Sequence, residues 1–134
     1  MSNFYDEILE WAAKCSNPLC SSAWITITYQ KSYDVIEFCI LQAILKIKNR
    51  ILKITVTINS AEKVFKLNDI ETCSLLDETF GSNSSSIKFQ PKEYGPLATN
   101  VGFNAIHIFA HDEKAPEHNY EKFEDAAKLE SGAT

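Results

Sequence analysis

Residues that break regular structure are scarce in this chain, with four glycines and four prolines among 134 residues. That scarcity, with 45% hydrophobic content, excludes collagen-like and low-complexity chains and implies a folded domain. Long apolar runs are also lacking. The longest, Val35 to Ile47, is interrupted by Glu37, Gln42 and Lys46, short of the ~18 uninterrupted apolar residues that a membrane-spanning helix needs. Met1 to Glu7 carries Asp6 and Glu7 where a secretory leader carries Lys or Arg. An intracellular location, cytoplasmic or nuclear, without membrane association is therefore expected. Among linear enzyme signatures, the nucleophile elbow, the P-loop, the dinucleotide-binding Gly-x-Gly-x-x-Gly and the zinc-binding His-Glu-x-x-His are all missing. A non-catalytic role is favoured on that ground, with no cofactor implied.

Cysteine is present at Cys15, Cys20, Cys39 and Cys73. Without an export signal these read as free thiols used mainly in packing. Cys15 and Cys20 have neither a second cysteine pair nor a histidine at zinc-site distance, so no metal site is expected there.

Along the chain, Phe4, Ile8, Trp11 and Ala12 fall at i, i+4, i+7 and i+8, which predicts an amphipathic helix ended by Pro18. Residues 23–30 alternate Trp24, Thr26 and Thr28 against Ile25, Ile27 and Tyr29, the pattern of a strand. Asp34 followed by Glu37 has the form of a capping box, predicting a buried helix from Val35 to Ile47, with two strands as the alternative. Residues 51–58 and 63–67 predict a hairpin turning at Asn59-Ser60-Ala61. Asp69 reads as the cap of a helix over Ile70 to Phe80, with Gly81 as its left-handed terminator. Residues 82–102 read as a long irregular loop containing a short strand near Ile87 to Gln90, and Phe103 to Ala110 as a strand. The acidic tail, 112–134, has room for a short helix. With no repeat or linker, the whole chain, 1–134, reads as a single two-layer α+β domain, an antiparallel sheet with helices on one face. Its order after the first helix is the ferredoxin-like βαββαβ. The strand Glu62 to Leu67 lacks the interleaved aromatic and glycine residues of RNA-recognition domains.

Charge is unevenly placed. Net charge is −5, yet residues 40–66 hold Lys46, Lys48, Arg50, Lys53, Lys63 and Lys66 against Glu62 alone. Lys46, Lys48, Arg50 and Lys53 are therefore candidates for contact with phosphates or an acidic partner. Lysine also serves helix C-termini and edge strands, and Arg50 is the sole arginine, so a solvated face explains the same residues. Phe89 and Tyr94 on the long loop, and Tyr120 and Phe123 in the tail, are candidate contacts for a protein. His107, His111 and His118 lie near Asp112, Glu113 and Glu117, but on a strand residues 107 and 111 stand ~13 Å apart, too far to share one ion. The leading expectation is a protein-interaction module or small subunit of an intracellular assembly. The alternatives are an accessory RNA- or DNA-associated subunit using the basic face, and a small enzyme or ligand-binding domain built around His107 and His111.

Overall fold

In the computed structural model, residues 3–15, 19–42, 50–68, 70–95, 100–111 and 117–122 are described. They form an almost entirely antiparallel β-structure, which overturns the α+β, ferredoxin-like expectation. The strands are β1 (Asn3–Lys14), β2 (Ile25–Leu41), β3 (Ile51–Ile58), β4 (Ala61–Lys66), β5 (Glu71–Leu75), β6 (Ser84–Tyr94), β7 (Asn100–His111) and β8 (His118–Lys122). A 3-10 turn, Leu19–Ser22, and one short helix, α1 (Glu78–Gly81), complete the described elements.

The 17-residue strand β2 organises everything else. On one side its first half pairs with β8 and its second with β7, and on the other its first half pairs with β6 and its second with β5. Two sheets result. The first runs β1-β7-β2-β5 through the second half of β2, and the second runs β8-β2-β6-β3-β4 through the first half. Their inner faces meet across a core that includes Trp11, Ile27, Phe38, Ile54, Phe89 and Ile108. Phe38 of the first sheet stands edge-on to Phe65 and Phe89 of the second, at 5.0 and 5.4 Å between centroids, a favourable aromatic geometry.

Each departure from the helical expectation has a local cause. Strand β1 carries Ile8 and Trp11 on one buried face because Glu10 adopts a positive φ of 43°. Leu9 pairs with Ala105 and Trp11 with Phe103 in one unbroken register, so no residue is inserted, and the irregularity at Glu10 turns a period of two into a spacing that resembles a helix. Residues 35–41 belong to β2. Their apparent capping residue, Asp34, instead accepts the backbone N–H of Asn83 at 2.9 Å. Residues 43–49, the rest of that expected helix, lie outside the described residues, as does Asp69.

The helix expected over 70–80 is reduced to α1, capped by Asp77, whose carboxylate accepts from the Phe80 N–H and pairs with Lys63. Gly81 does not terminate it in a left-handed conformation. A Cβ there would lie 2.0 Å from the Val35 carbonyl oxygen, so close backbone approach is what requires glycine.

The expected irregular stretch is largely β6, which accommodates Pro91 where its pairing with β3 shifts register. In the tail, residues 118–122 are strand β8. The hairpin β3–β4 forms with Asn59 and Ser60 both at positive φ, the requirement of a type I′ turn. Strict alternation would place Leu52 on one face with Ile54, but Leu52 is exposed, and the register shift between Ile51 and Ile54 buries Ile51 in its place.

All four cysteines are oxidised, contrary to the free-thiol expectation: Cys15 pairs with Cys20 and Cys39 with Cys73. The second bridge closes a 34-residue separation and the first only 5. Loop-closure entropy alone assigns them about 4 and about 2 kcal/mol respectively. Gln42 joins β2 to β3 by donating to the Ile51 carbonyl and accepting the Ile51 N–H, at 3.0 and 2.8 Å, so one buried amide replaces a backbone pair.

Candidate functional site

Because the two sheets bury only their inner faces against each other, the strands of the first sheet present their alternate residues outward. The register fixes the resulting lattice. Tyr5, Phe109, Glu37 and Leu75 form one row; Glu7, His107, Cys39 and Cys73 the next; Leu9, Ala105, Leu41 and Glu71 the third. Among the described residues no element covers this face. Leu75 is 74% exposed, Leu9 61% and Tyr5 47%, high values for apolar or aromatic side chains that share one sheet face. The charges in the lattice are Glu7, Glu37 and Glu71, with His107 as the one ionisable base.

At the centre, His107 Nε2 lies 2.8 Å from the Glu7 carboxylate, which also accepts the Tyr5 hydroxyl at 2.8 Å. The Tyr5 ring stands edge-on to His107 and packs against Phe109, both at 5.2 Å. Desolvation on the sheet, followed by the bond to Glu7, pushes the Tyr5 hydroxyl above its ordinary pKa. Beside His107 sits the Cys39–Cys73 disulfide, with Cys39 nearly buried and Cys73 exposed.

The same face ends in a cavity of about 400 Å³ lined by Asp34, Val35, Ile36, Leu76, Glu78, Ser82 and His111. His111 Nδ1 is buried there without a hydrogen-bond partner among the described residues.

A second cluster of the same composition lies between the sheets. Tyr29 donates to Asp6 at 2.9 Å, and His118 Nδ1 approaches the same oxygen at 3.0 Å. Burial, reinforced by the negative charge of Asp6, pushes the Tyr29 hydroxyl far above its ordinary pKa and holds it as a donor. This group ties β1 to β2 and β8.

The residues singled out from sequence are scattered. Lys46, Lys48 and Phe123 lie outside the described residues. Arg50 is half-buried, and Lys53 pairs with Glu93 at 3.5 Å. Phe89 is fully buried in β6, in the core and not on a loop, and half-buried Tyr94 packs against that core. Tyr120 is exposed on β8. His107 and His111 share the outward face of β7 but serve different places, one the Glu7 pair and the other the cavity. Sequence reasoning passed over Tyr5, Glu7, Leu9 and Leu75 because a helical reading of 4–14 and 70–80 separates residues that strand pairing brings together.

Comparison with protein-family models, with curated proteins and with solved structures finds no match, so the functional argument rests on the residues themselves.

Proposed function

We propose that the chain is a protein-binding module that engages its partner through the open face of the first sheet. The observation that supports this most is the set of exposed apolar groups at the margins of this face, Tyr5, Leu9 and Leu75, with half-buried Phe109 and Leu41 between them. Apolar surface of this kind gains free energy when covered, at roughly 25 cal/mol per Å². The partner is a surface that mixes apolar groups with Lys or Arg, because Glu7, Glu37 and Glu71 are interspersed with the apolar side chains of this face.

The experiment is affinity purification from native cells with three forms of the chain: unaltered, Leu9→Arg/Leu75→Arg on the face, and Val64→Arg on the second sheet, where Val64 is comparably exposed to Tyr5. A stoichiometric protein held by the unaltered chain and by Val64→Arg, insensitive to nuclease, and lost from the face variant is the expected result. Retention by the face variant overturns the reading, and loss on nuclease treatment transfers the function to nucleic-acid association through the basic segment.

Among the described residues no helix is long and apolar enough to cross a membrane. The two disulfides are compatible with an oxidising, extracellular compartment, whereas a reduced form of the same chain would suit an intracellular one. Alkylation of the thiols in intact cells before lysis, read by mass spectrometry, distinguishes these.

A further inference from the structure

The outer face holds one group of side chains, two of them cysteines that the docking reading does not use. Glu37, Cys39 and Cys73 offer a carboxylate oxygen and two sulfurs that all lie within 4.8 Å of one another. Ligands of one tetrahedral ion at ~2.0–2.3 Å stand on the order of 4 Å apart, so these three need only small side-chain rotations to converge on a common point. A fourth donor lies one strand away, outside the 4.8 Å that joins these three. His107 is the direct cross-strand partner of Cys39, on the side opposite Cys73, and directly opposed Cβ atoms are ~5 Å apart. Its Nε2 is engaged with the Glu7 carboxylate. In the neutral ring that bond places the proton on Nε2 and leaves Nδ1 with a lone pair. Glu7, itself steadied by the Tyr5 hydroxyl, thus stands where a carboxylate commonly orients a metal-binding imidazole.

We propose that reduction of the Cys39–Cys73 disulfide converts this row into a divalent-cation site for Zn²⁺, with Cys39, Cys73, Glu37 and His107 as its ligands. The conversion balances with a dithiol as reductant. Two electrons from the dithiol break the S–S bond, the dithiol becomes a cyclic disulfide, and its two protons pass to the Cys39 and Cys73 sulfurs. Zn²⁺ then displaces those two protons to solvent as the thiolates bind. Exposure of Cys73 gives the reductant access, whereas Cys15 and Cys20 are both buried and, among the described residues, have no such neighbours. The two states suit the two compartments considered above: a covalent staple where disulfides persist, and a metal staple across the same strands where thiols are kept reduced. The inference is independent of the docking reading, since no partner enters its test.

The test uses the full chain, reduced anaerobically with a dithiol and titrated with Co²⁺ as a spectroscopic stand-in for Zn²⁺. One equivalent should bind with a thiolate-to-metal charge-transfer band and tetrahedral ligand-field absorption, Zn²⁺ should displace it, and the oxidised chain should show no band. Cys15→Ser/Cys20→Ser should retain the band. Glu37→Gln and His107→Gln keep both thiols on a solvent-facing surface, and each should weaken binding at least tenfold. Absence of stoichiometric Co²⁺ binding by the reduced chain, folded or unfolded, overturns the proposal. So does a band that survives in Cys39→Ser/Cys73→Ser, or affinity unchanged in both Glu37→Gln and His107→Gln.

Discussion

Asp6 and Glu7 are consecutive residues of one strand, and each carboxylate holds one tyrosine hydroxyl and one histidine nitrogen. The alternation of β1 sends Asp6 between the sheets and Glu7 to the open face. Contact distances barely differ, 2.9 and 3.0 Å around Asp6 against 2.8 and 2.8 Å around Glu7. Access to water differs greatly. A partner removed from the exposed cluster is replaced by solvent, but around Asp6 and Tyr29, both nearly buried, water replaces a lost partner far less readily. Short distance therefore does not rank these clusters by energy. Burial does, and it assigns architecture to the Asp6 cluster and leaves the Glu7 cluster available for recognition.

The sharpest way to break that comparison is Asp6→Ala. Tyr29 and His118 then lose their common acceptor inside the protein, and the loss of stability should be about 3 kcal/mol. Urea denaturation at neutral pH reads it, and a change under about 1 kcal/mol would show that water reaches the cluster after all.

Next in size is Tyr29→Phe, which removes one bond to a carboxylate and should cost about 2 kcal/mol. Its signature is in the pH dependence. Burial, and then the charge of Asp6, keep Tyr29 protonated in the folded chain well beyond its ordinary range. The unfolded chain releases that proton above pH ~10, so the folded state binds more protons there. Stability from this group is fully present below pH ~10 and falls as pH rises beyond it, by up to ~1.4 kcal/mol per pH unit. Alkaline denaturation series should show the unaltered chain losing stability more steeply than Tyr29→Phe by that one-proton slope. Parallel slopes would mean that Tyr29 ionises in the folded chain.

How far the sequence conveys these clusters depends on which strands it conveys. Residues 25–30 and 54–58 alternate because each has one buried and one wetter face, and these segments, the hairpin around Asn59-Ser60 and residues 103–110 are all strands. His107 and His111 could accordingly be placed on one face of one strand. Strand β1 was illegible because the irregularity at Glu10 breaks its period, so Glu7 could not be set opposite His107. The second half of β2 was illegible because Phe38, Cys39 and Ile40 are all buried, which erases alternation. Strand β6 was masked by serines and by Pro91, tolerated at a register shift. The Cys39–Cys73 pair depends on the β2–β5 register, a long-range fact that no local spacing encodes.

The smallest expected effect sharpens the comparison from the exposed side. Glu7→Gln keeps the size of the side chain and an acceptor oxygen, and Glu7 and His107 are 40% and 25% exposed, so their pairing is screened by water. Stability should change by no more than about 0.5 kcal/mol. The local electrostatics should nonetheless respond. Desolvation raises the Tyr5 hydroxyl first and Glu7 raises it further, by hydrogen bond and by charge. Removing that charge should therefore bring Tyr5 part of the way back toward its ordinary range, followed by NMR titration of its ring resonances. A destabilisation as large as that of Asp6→Ala would place Glu7 in the architecture as well, and the open face would lose its claim to be free for a partner.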